Sequence, residues 1–155
     1  MNDLTIEPMR QIHIDAIVEI EHEVFTHPWT AEMFRQEVAD NQMSRSYVLL
    51  EEGRVTGYIV SWFLQDEVHL LNIAVMSSLR RGGLGRKMMM HLIDTASREH
   101  KELISLEVRE SNEGAIAMYR SMGFVPVGIR REYYREDKEN ALLMMLSLAG
   151  WGESK

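Results

Sequence analysis

The segment Asn72-Ile-Ala-Val-Met-Ser-Ser-Leu-Arg-Arg-Gly-Gly-Leu-Gly-Arg-Lys-Met-Met-Met90 constrains the fold more than any other part of the chain. An apolar, strand-like run ends at Val75. A short polar loop follows, then the glycine-rich stretch Arg80 to Gly85, then a helix-forming stretch. Glycines let backbone N–H groups approach a ligand closely. The helix that begins there adds a partial positive charge. Together they form a cradle for phosphate oxygens, and Arg80, Arg81, Arg86 and Lys87 nearby favour a polyanionic ligand. Two nucleotide motifs fail on the residues. A dinucleotide fingerprint needs a third glycine where Met88 stands, and a Walker loop needs Gly-Lys-Ser/Thr where Gly85 is followed by Arg86-Lys87-Met88. The competing reading is an ordinary tight turn before a helix, with solvated arginines.

A chain of 155 residues reads as one domain over residues 1–148 with a short C-terminal tail over 149–155. The formal net charge of −7 argues against direct nucleic-acid binding, which relies on a basic surface, and suits a cationic substrate. Without cysteine there is no disulfide, thiolate metal site or cysteine acyl-enzyme. The six histidines show no metal spacing, so no metal is expected. The first residues lack a basic region followed by an apolar run, and no apolar stretch approaches the roughly 20 residues that span a bilayer. A cytoplasmic protein with no membrane partner is the expectation.

Hydrophobic periodicity places a strand at Leu4 to Glu7, a helix from Pro8 to about His22, a loop from Phe25 to Trp29, and a helix from Ala31 to about Asp40 with Thr30 as its cap. Strands follow at Ser46 to Glu51, Arg54 to Phe63 and Glu67 to Val75, then a helix from Gly83 to about His100. A strand over Glu102 to Arg109, a helix over Asn112 to Met122 closed by Gly123, and strands over Phe124 to Arg131 and Ala141 to Leu148 complete the chain. This order implies an α/β fold with a mixed sheet and helices on both faces.

Strand alternation puts Glu107 with Ser105 and Arg109, opposite Ile104, Leu106 and Val108. Its carboxylate thus lies on the more polar face, near the C-terminal end of a strand, where ligands of open α/β sheets gather. Glu107 is the candidate general base; the competing reading pairs it with Arg109 or another arginine. Tyr119 is the candidate general acid, because a phenol stays protonated at neutral pH and can donate to a thiolate. The competing reading is core packing, since Ala115, Tyr119 and Met122 share a helical stripe. Asn112 either caps its helix or bonds a cofactor. Trp29, Tyr133 and Tyr134 are candidate walls of a substrate groove, with packing as the alternative for each. Glu21, Glu23, Asp66 and Glu67 either attract basic substrate side chains or form solvated surface.

The pattern Arg80-x-x-Gly83-x-Gly85 resembles the acyl-CoA pyrophosphate loop of the GNAT acetyltransferases, and the order of elements from Leu4 to Leu148 is similar to theirs. Leu106-Glu-Val-Arg-Glu-Ser-Asn112 followed by Ala115-Ile-Ala-Met-Tyr-Arg-Ser-Met-Gly-Phe124 resembles the RimI-type N-terminal acetyltransferases. So do Asp66-Glu67, Asn72-Ile-Ala-Val75, Ile129-Arg-Arg-Glu-Tyr-Tyr134 and His27-Pro-Trp-Thr30. The resemblance implies a sheet splayed at the cofactor site and acetyl-CoA as co-substrate. It implies backbone contacts from Ile73, Ala74 and Val75 to the pantetheine arm. Cofactor contacts from Arg81, Gly82, Gly83, Leu84, Gly85, Arg86 and Asn112 are implied as well. Glu107 is implied as base and Tyr119 as acid. The implied partner is a protein N-terminus, the alanine of the eighteenth small-subunit ribosomal protein. Gly82 departs from the family, which usually has glutamine or another polar residue there, so one side-chain contact is missing. A GNAT enzyme acting on a small amine and a non-catalytic CoA-binding protein are the alternatives.

Overall fold

The computed structural model describes residues 3–80 and 82–151. Arg81 and the tail residues 152–155, both assigned above, lie outside the described residues. The chain divides into two compact units, Met1–Phe63 with Leu71–Leu92, and Leu64–Leu70 with Ile93–Lys155. Seven strands and four α-helices are described, and the strands follow the order β1-β2-β3-β4-β5-β7-β6 in a mixed sheet. None of the described helices is long and apolar enough to cross a membrane.

In the first unit, β1 (Leu4–Pro8) lies antiparallel to β2 (Tyr47–Glu51), with Leu4 opposite Glu51 and Pro8 opposite Tyr47. Pro8 therefore ends a strand and does not open the helix expected there. A proline lacks the N–H of a ladder and is tolerated at the end of an edge strand. A single 3-10 turn, Gln11–His13, intervenes before α1 (Ile14–Val24). The reason is local: Nδ1 of His13 accepts a hydrogen bond from the Arg10 N–H at 3.0 Å and closes that turn. Ile14, Ile17 and Ile20 of α1 are buried, the spacing of one helical face. α2 (Ala31–Ala39) begins as expected, with the Thr30 hydroxyl accepting from Met33 N–H at 3.2 Å.

The hairpin from β2 into β3 (Arg54–Phe63) turns through Glu52 and Gly53, at φ 52° and 82°. Two successive left-handed residues match the right-handed twist of the paired strands. β4 (Glu67–Val75) contributes its last residues to this unit, and α3 (Leu84–Arg98) starts here. The unit's core gathers Ile14, Ile17, Ile20, Phe34, Val48, Tyr58, Val60 and Ala74.

In the second unit, the first half of β4 runs parallel to β5 (Leu103–Arg109), with Glu67 opposite Leu103 and Leu70 opposite Leu106. β4 continues to Val75 and β5 to Arg109 beyond that last pair. α4 (Glu113–Ser121) follows, and the chain leaves it through Gly123 at φ 104°. β6 (Val125–Tyr134) and β7 (Glu139–Ser147) form a long antiparallel hairpin, and β7 pairs with β5 from Ala141 to Ser147. Both strands extend further into the polar connection than their apolar residues suggest. The turn is held instead by Asp137, whose Oδ1 accepts from the Glu139 N–H, and by Arg109, which bonds Asp137 at 2.8 Å and Glu139 at 3.1 Å.

Candidate active site

The glycine-rich stretch and the helix start expected to cradle a phosphate lie in the first unit. Gly83 sits at φ 80°, in the left-handed region that favours glycine, and a Cβ there would meet nothing within 4 Å. α3 starts at the next residue, and its first turn carries no acidic side chain. The leading N–H groups of a helix have no carbonyl partner within it. The amides of Leu84, Gly85 and Arg86 thus stand at the positive end of a 15-residue helix. That chemistry fits a diphosphate. Lys87 N–H, one residue on, already bonds Gly83 C=O at 3.0 Å.

Ile73, Ala74 and Val75 form the end of β4, with Ala74 buried. One determinant of this strand end was not read from the sequence. Gly57 on β3 leaves room for it: a Cβ there would lie 2.9 Å from the Ala74 carbonyl oxygen and 3.1 Å from Cε of Met88. The carbonyl of Ala74 thus lies against a neighbouring strand that only glycine lets so close.

Trp29, proposed as a groove wall, is tied to the core of the first unit. Its ring packs on Phe34 at 5.2 Å, and its backbone N–H donates to Oε2 of Glu21 at 2.9 Å. Glu21 is 1% exposed and is not the solvated acid the sequence suggested. Its Oε1 accepts from the Asn72 amide at 2.9 Å and from the Tyr58 hydroxyl. Three donors satisfy a buried carboxylate whose loss of water would otherwise be costly. Burial, with the Glu21 charge beside it, drives the Tyr58 phenol far above its ordinary range. The cluster fixes the Trp29 loop to the strand that leads to Ile73. Glu23 is also engaged, accepting from Ser77 N–H at 2.6 Å.

The second unit carries Glu107, Tyr119, Tyr133 and Tyr134. Glu107 on β5 has a side chain only 10% exposed, with Oε2 at 3.0 Å from Nε2 of His69 and Oε1 at 3.4 Å from Nε of Arg130. The His69 hydrogen bond holds its carboxyl below the usual range, against the opposing effect of burial; the charges of His69 and Arg130 add to the lowering. Of the two readings for Glu107, Arg109 is not its partner, because Arg109 pairs with Asp137 and Glu139. Arg130, on β6, is.

Tyr119 is buried in α4 against Phe124, their rings 5.6 Å apart. Burial, with a smaller effect from Tyr134, pushes its phenol well above the ordinary range, so the hydroxyl keeps its proton. Tyr134 lies under the Arg109 guanidinium at 3.9 Å and edge-on to Tyr133 at 5.2 Å. Burial pushes it up to about 12; Arg109 pulls the other way, while Tyr133 and Glu107 add to the rise. Tyr134 thus feels the charge of Glu107, and Tyr119 in turn feels Tyr134. Tyr133 is exposed and lies beneath Arg130 at 5.7 Å. Asn112 caps α4, its Oδ1 accepting from Ala115 N–H at 3.2 Å.

His69 was missed by the sequence reading. The alternation of Glu67 and His69 on β4, beside Ser105 and Glu107 on β5, was the available signal. It becomes informative only once the register places His69 opposite Ser105. Among the described residues no group of three or more His, Asp or Glu side chains is placed to hold a metal ion.

Comparison with known proteins bears on the family and the fold. Residues 14–124 match the model of the Acetyltransferase (GNAT) family. The [ribosomal protein bS18]-alanine N-acetyltransferase of Escherichia coli K12 is 35% identical over 149 residues, which cover 94% of this chain and 98% of that protein. The crystal structure of the ribosomal-protein-S18-alanine N-acetyltransferase from Escherichia coli superposes with a TM-score of 0.88 at 32% identity, covering 99% of both chains. Ard1 from Thermoplasma volcanium gives a TM-score of 0.85 at 26% identity, over 93% of this chain and 97% of that one. The chain belongs to the GNAT acetyltransferase family.

Proposed function

We propose that this protein is an N-terminal acetyltransferase that moves an acetyl group from acetyl-CoA to the α-amine of a protein N-terminus. The substrate in this reading is the N-terminal alanine of ribosomal protein bS18, as in the relative from Escherichia coli. The observation that carries the chemistry is the Glu107 carboxylate, its side chain 10% exposed and paired with His69 and Arg130, in the same unit as the buried, protonated Tyr119.

Bound acetyl-CoA supplies the activated thioester. The amides at the start of α3 hold its diphosphate, and the backbone of Ile73, Ala74 and Val75 aligns the pantetheine arm as an added strand would. An N–H near Val75 polarises the thioester carbonyl. An α-amine has a pKa of about 7.7–8.0, so roughly one molecule in ten is neutral near pH 7 and the base need give only modest help. Glu107, through a water, takes the amine's proton as nitrogen attacks the carbonyl carbon. The C–S bond then breaks and Tyr119 gives its proton to the departing sulfur. Trp29, Tyr133 and Tyr134 line the path of the peptide, and residues 1–148 act as one catalytic domain.

The test incubates the protein with acetyl-CoA and a peptide bearing the bS18 N-terminus, beside polyamine and aminoglycoside acceptors. Mass spectrometry locates the acetyl group. Acetyl on the alanine α-amine is expected. Turnover with small amines alone would overturn the substrate class, and binding of acetyl-CoA without any turnover would overturn the enzyme reading. Single-turnover mass spectra should contain no acetyl-enzyme.

A further inference from the structure

Four side chains of the second unit form an unbroken hydrogen-bonded row. Oε2 of Glu107 lies 3.0 Å from Nε2 of His69. Nδ1 of His69 lies 2.9 Å from Oγ of Ser105, and Oγ of Ser105 lies 3.1 Å from Oε2 of Glu67. The row follows from the parallel register, which sets His69 opposite Ser105 and leaves Glu67 and Glu107 at its two ends.

The proton count of this row is restricted. Ser105 has one hydroxyl hydrogen, and Glu67, as a carboxylate, only accepts. With that hydrogen given to Glu67, Oγ offers a lone pair to Nδ1, so Nδ1 carries the ring hydrogen. Nε2 is then the ring nitrogen free to gain or lose a proton, and it faces a carboxylate oxygen. Without a proton between them, two lone pairs oppose each other at 3.0 Å. A proton placed in that gap bridges Oε2 of Glu107 and Nε2 of His69.

We propose that His69 is a positioning residue and proton acceptor behind Glu107: the proton leaving the attacking amine comes to rest between Oε2 of Glu107 and Nε2 of His69. It then leaves to solvent from the imidazole. The inference rests on the reading of Glu107 as the base. Exposure favours it: His69 is the better placed of the two to release the proton, because its side chain is 23% exposed against 10% for Glu107. The charged and titratable groups around the pair are Glu67 on β4, Arg130 on β6, and Tyr134 at the end of β6. Arg130 contacts the outer oxygen of Glu107, so it leaves the gap to His69 open.

Two measurements test this. The first needs no variant: the side-chain nitrogen shifts of His69, recorded by NMR where its imidazole is neutral, should report the tautomer with hydrogen on Nδ1. Ser105→Ala removes the acceptor that enforces it and should shift the population toward hydrogen on Nε2. A wild-type ring with hydrogen on Nε2 would overturn the proposal.

The second is kinetic. His69→Gln keeps an amide donor toward Glu107 but takes up no proton. It should lower kcat roughly a hundredfold while sparing the KM for acetyl-CoA. His69→Ala should be rescued by added imidazole and not by pyrazole, a ring of similar size and much weaker basicity. Equal rescue by both would show that filling space suffices and would sink the relay. Wild-type kcat in His69→Gln, with Glu107→Gln inactive, would remove His69 and leave the base assignment standing. Wild-type kcat in Glu107→Gln would overturn that assignment and the relay with it.

Discussion

Gly57 faces the carbonyl of Ala74 so closely that a single added methyl group would fall 2.9 Å from its oxygen. The obstructing atom is backbone, so the strand end must move to relieve it. Gly57→Ala is therefore expected to displace the residues assigned to the pantetheine arm. Overpacking of this kind costs about 1–3 kcal/mol. The Kd for acetyl-CoA should rise roughly tenfold, about 1.4 kcal/mol. Calorimetric titration and urea unfolding measure the two effects, and unchanged acetyl-CoA affinity would separate Ala74 from the cofactor.

Tyr119→Phe keeps the aromatic packing on Phe124 and removes only the hydroxyl. If that hydroxyl protonates the leaving sulfur, kcat should fall by about a hundredfold or more. Acetyl-CoA binding should be spared. Steady-state kinetics with the peptide substrate, with chemistry shown to limit the rate, decides it; an unchanged kcat would return Tyr119 to the core.

Glu21→Ala leaves the Tyr58 hydroxyl, the Asn72 amide and the Trp29 N–H without their shared acceptor. Each buried group left unpaired costs about 1–3 kcal/mol, so a loss of roughly 3 kcal/mol or more is expected. Tyr58→Phe, which removes one donor and leaves two, should cost less. Denaturant midpoints of the two variants give the comparison, and equal stability would mean water replaces the carboxylate.

The carboxyl of Glu107 is held below its ordinary value of 4.5, chiefly by the hydrogen bond to His69. A depressed carboxyl contributes stability that is fully present above its unfolded value and is lost as pH falls through the lower folded value. The wild type should therefore lose more stability than Glu107→Gln between about pH 6 and pH 3. Urea unfolding across that range checks the sign, and parallel curves would show that the pair contributes nothing to the fold.

Much of the fold was legible because its signals are local. Thr30 caps α2 and Asn112 caps α4 through bonds that span three residues, and β3 and β4 begin and end where their apolar runs do. The entry to α1 was misread. Pro8 suits the first turn of a helix and the end of an edge strand equally well, and only the pairing with Tyr47 chooses between them. The β6–β7 hairpin ran longer than its apolar pattern, because Arg109, far away in sequence, holds its polar turn.

The order of residues alone determined the glycine-rich helix start, the strand carrying Glu107 and the helix carrying Tyr119, since each depends on spacing within a few residues. Tertiary structure alone decided what those groups touch. Whether Glu107 met Arg109, Arg130 or His69, and whether Glu21 faced water or three buried donors, depended on strand register and helix packing across dozens of residues. A side chain's chemistry is written at its own position, but its protonation is set by neighbours that only folding brings within about 3 Å.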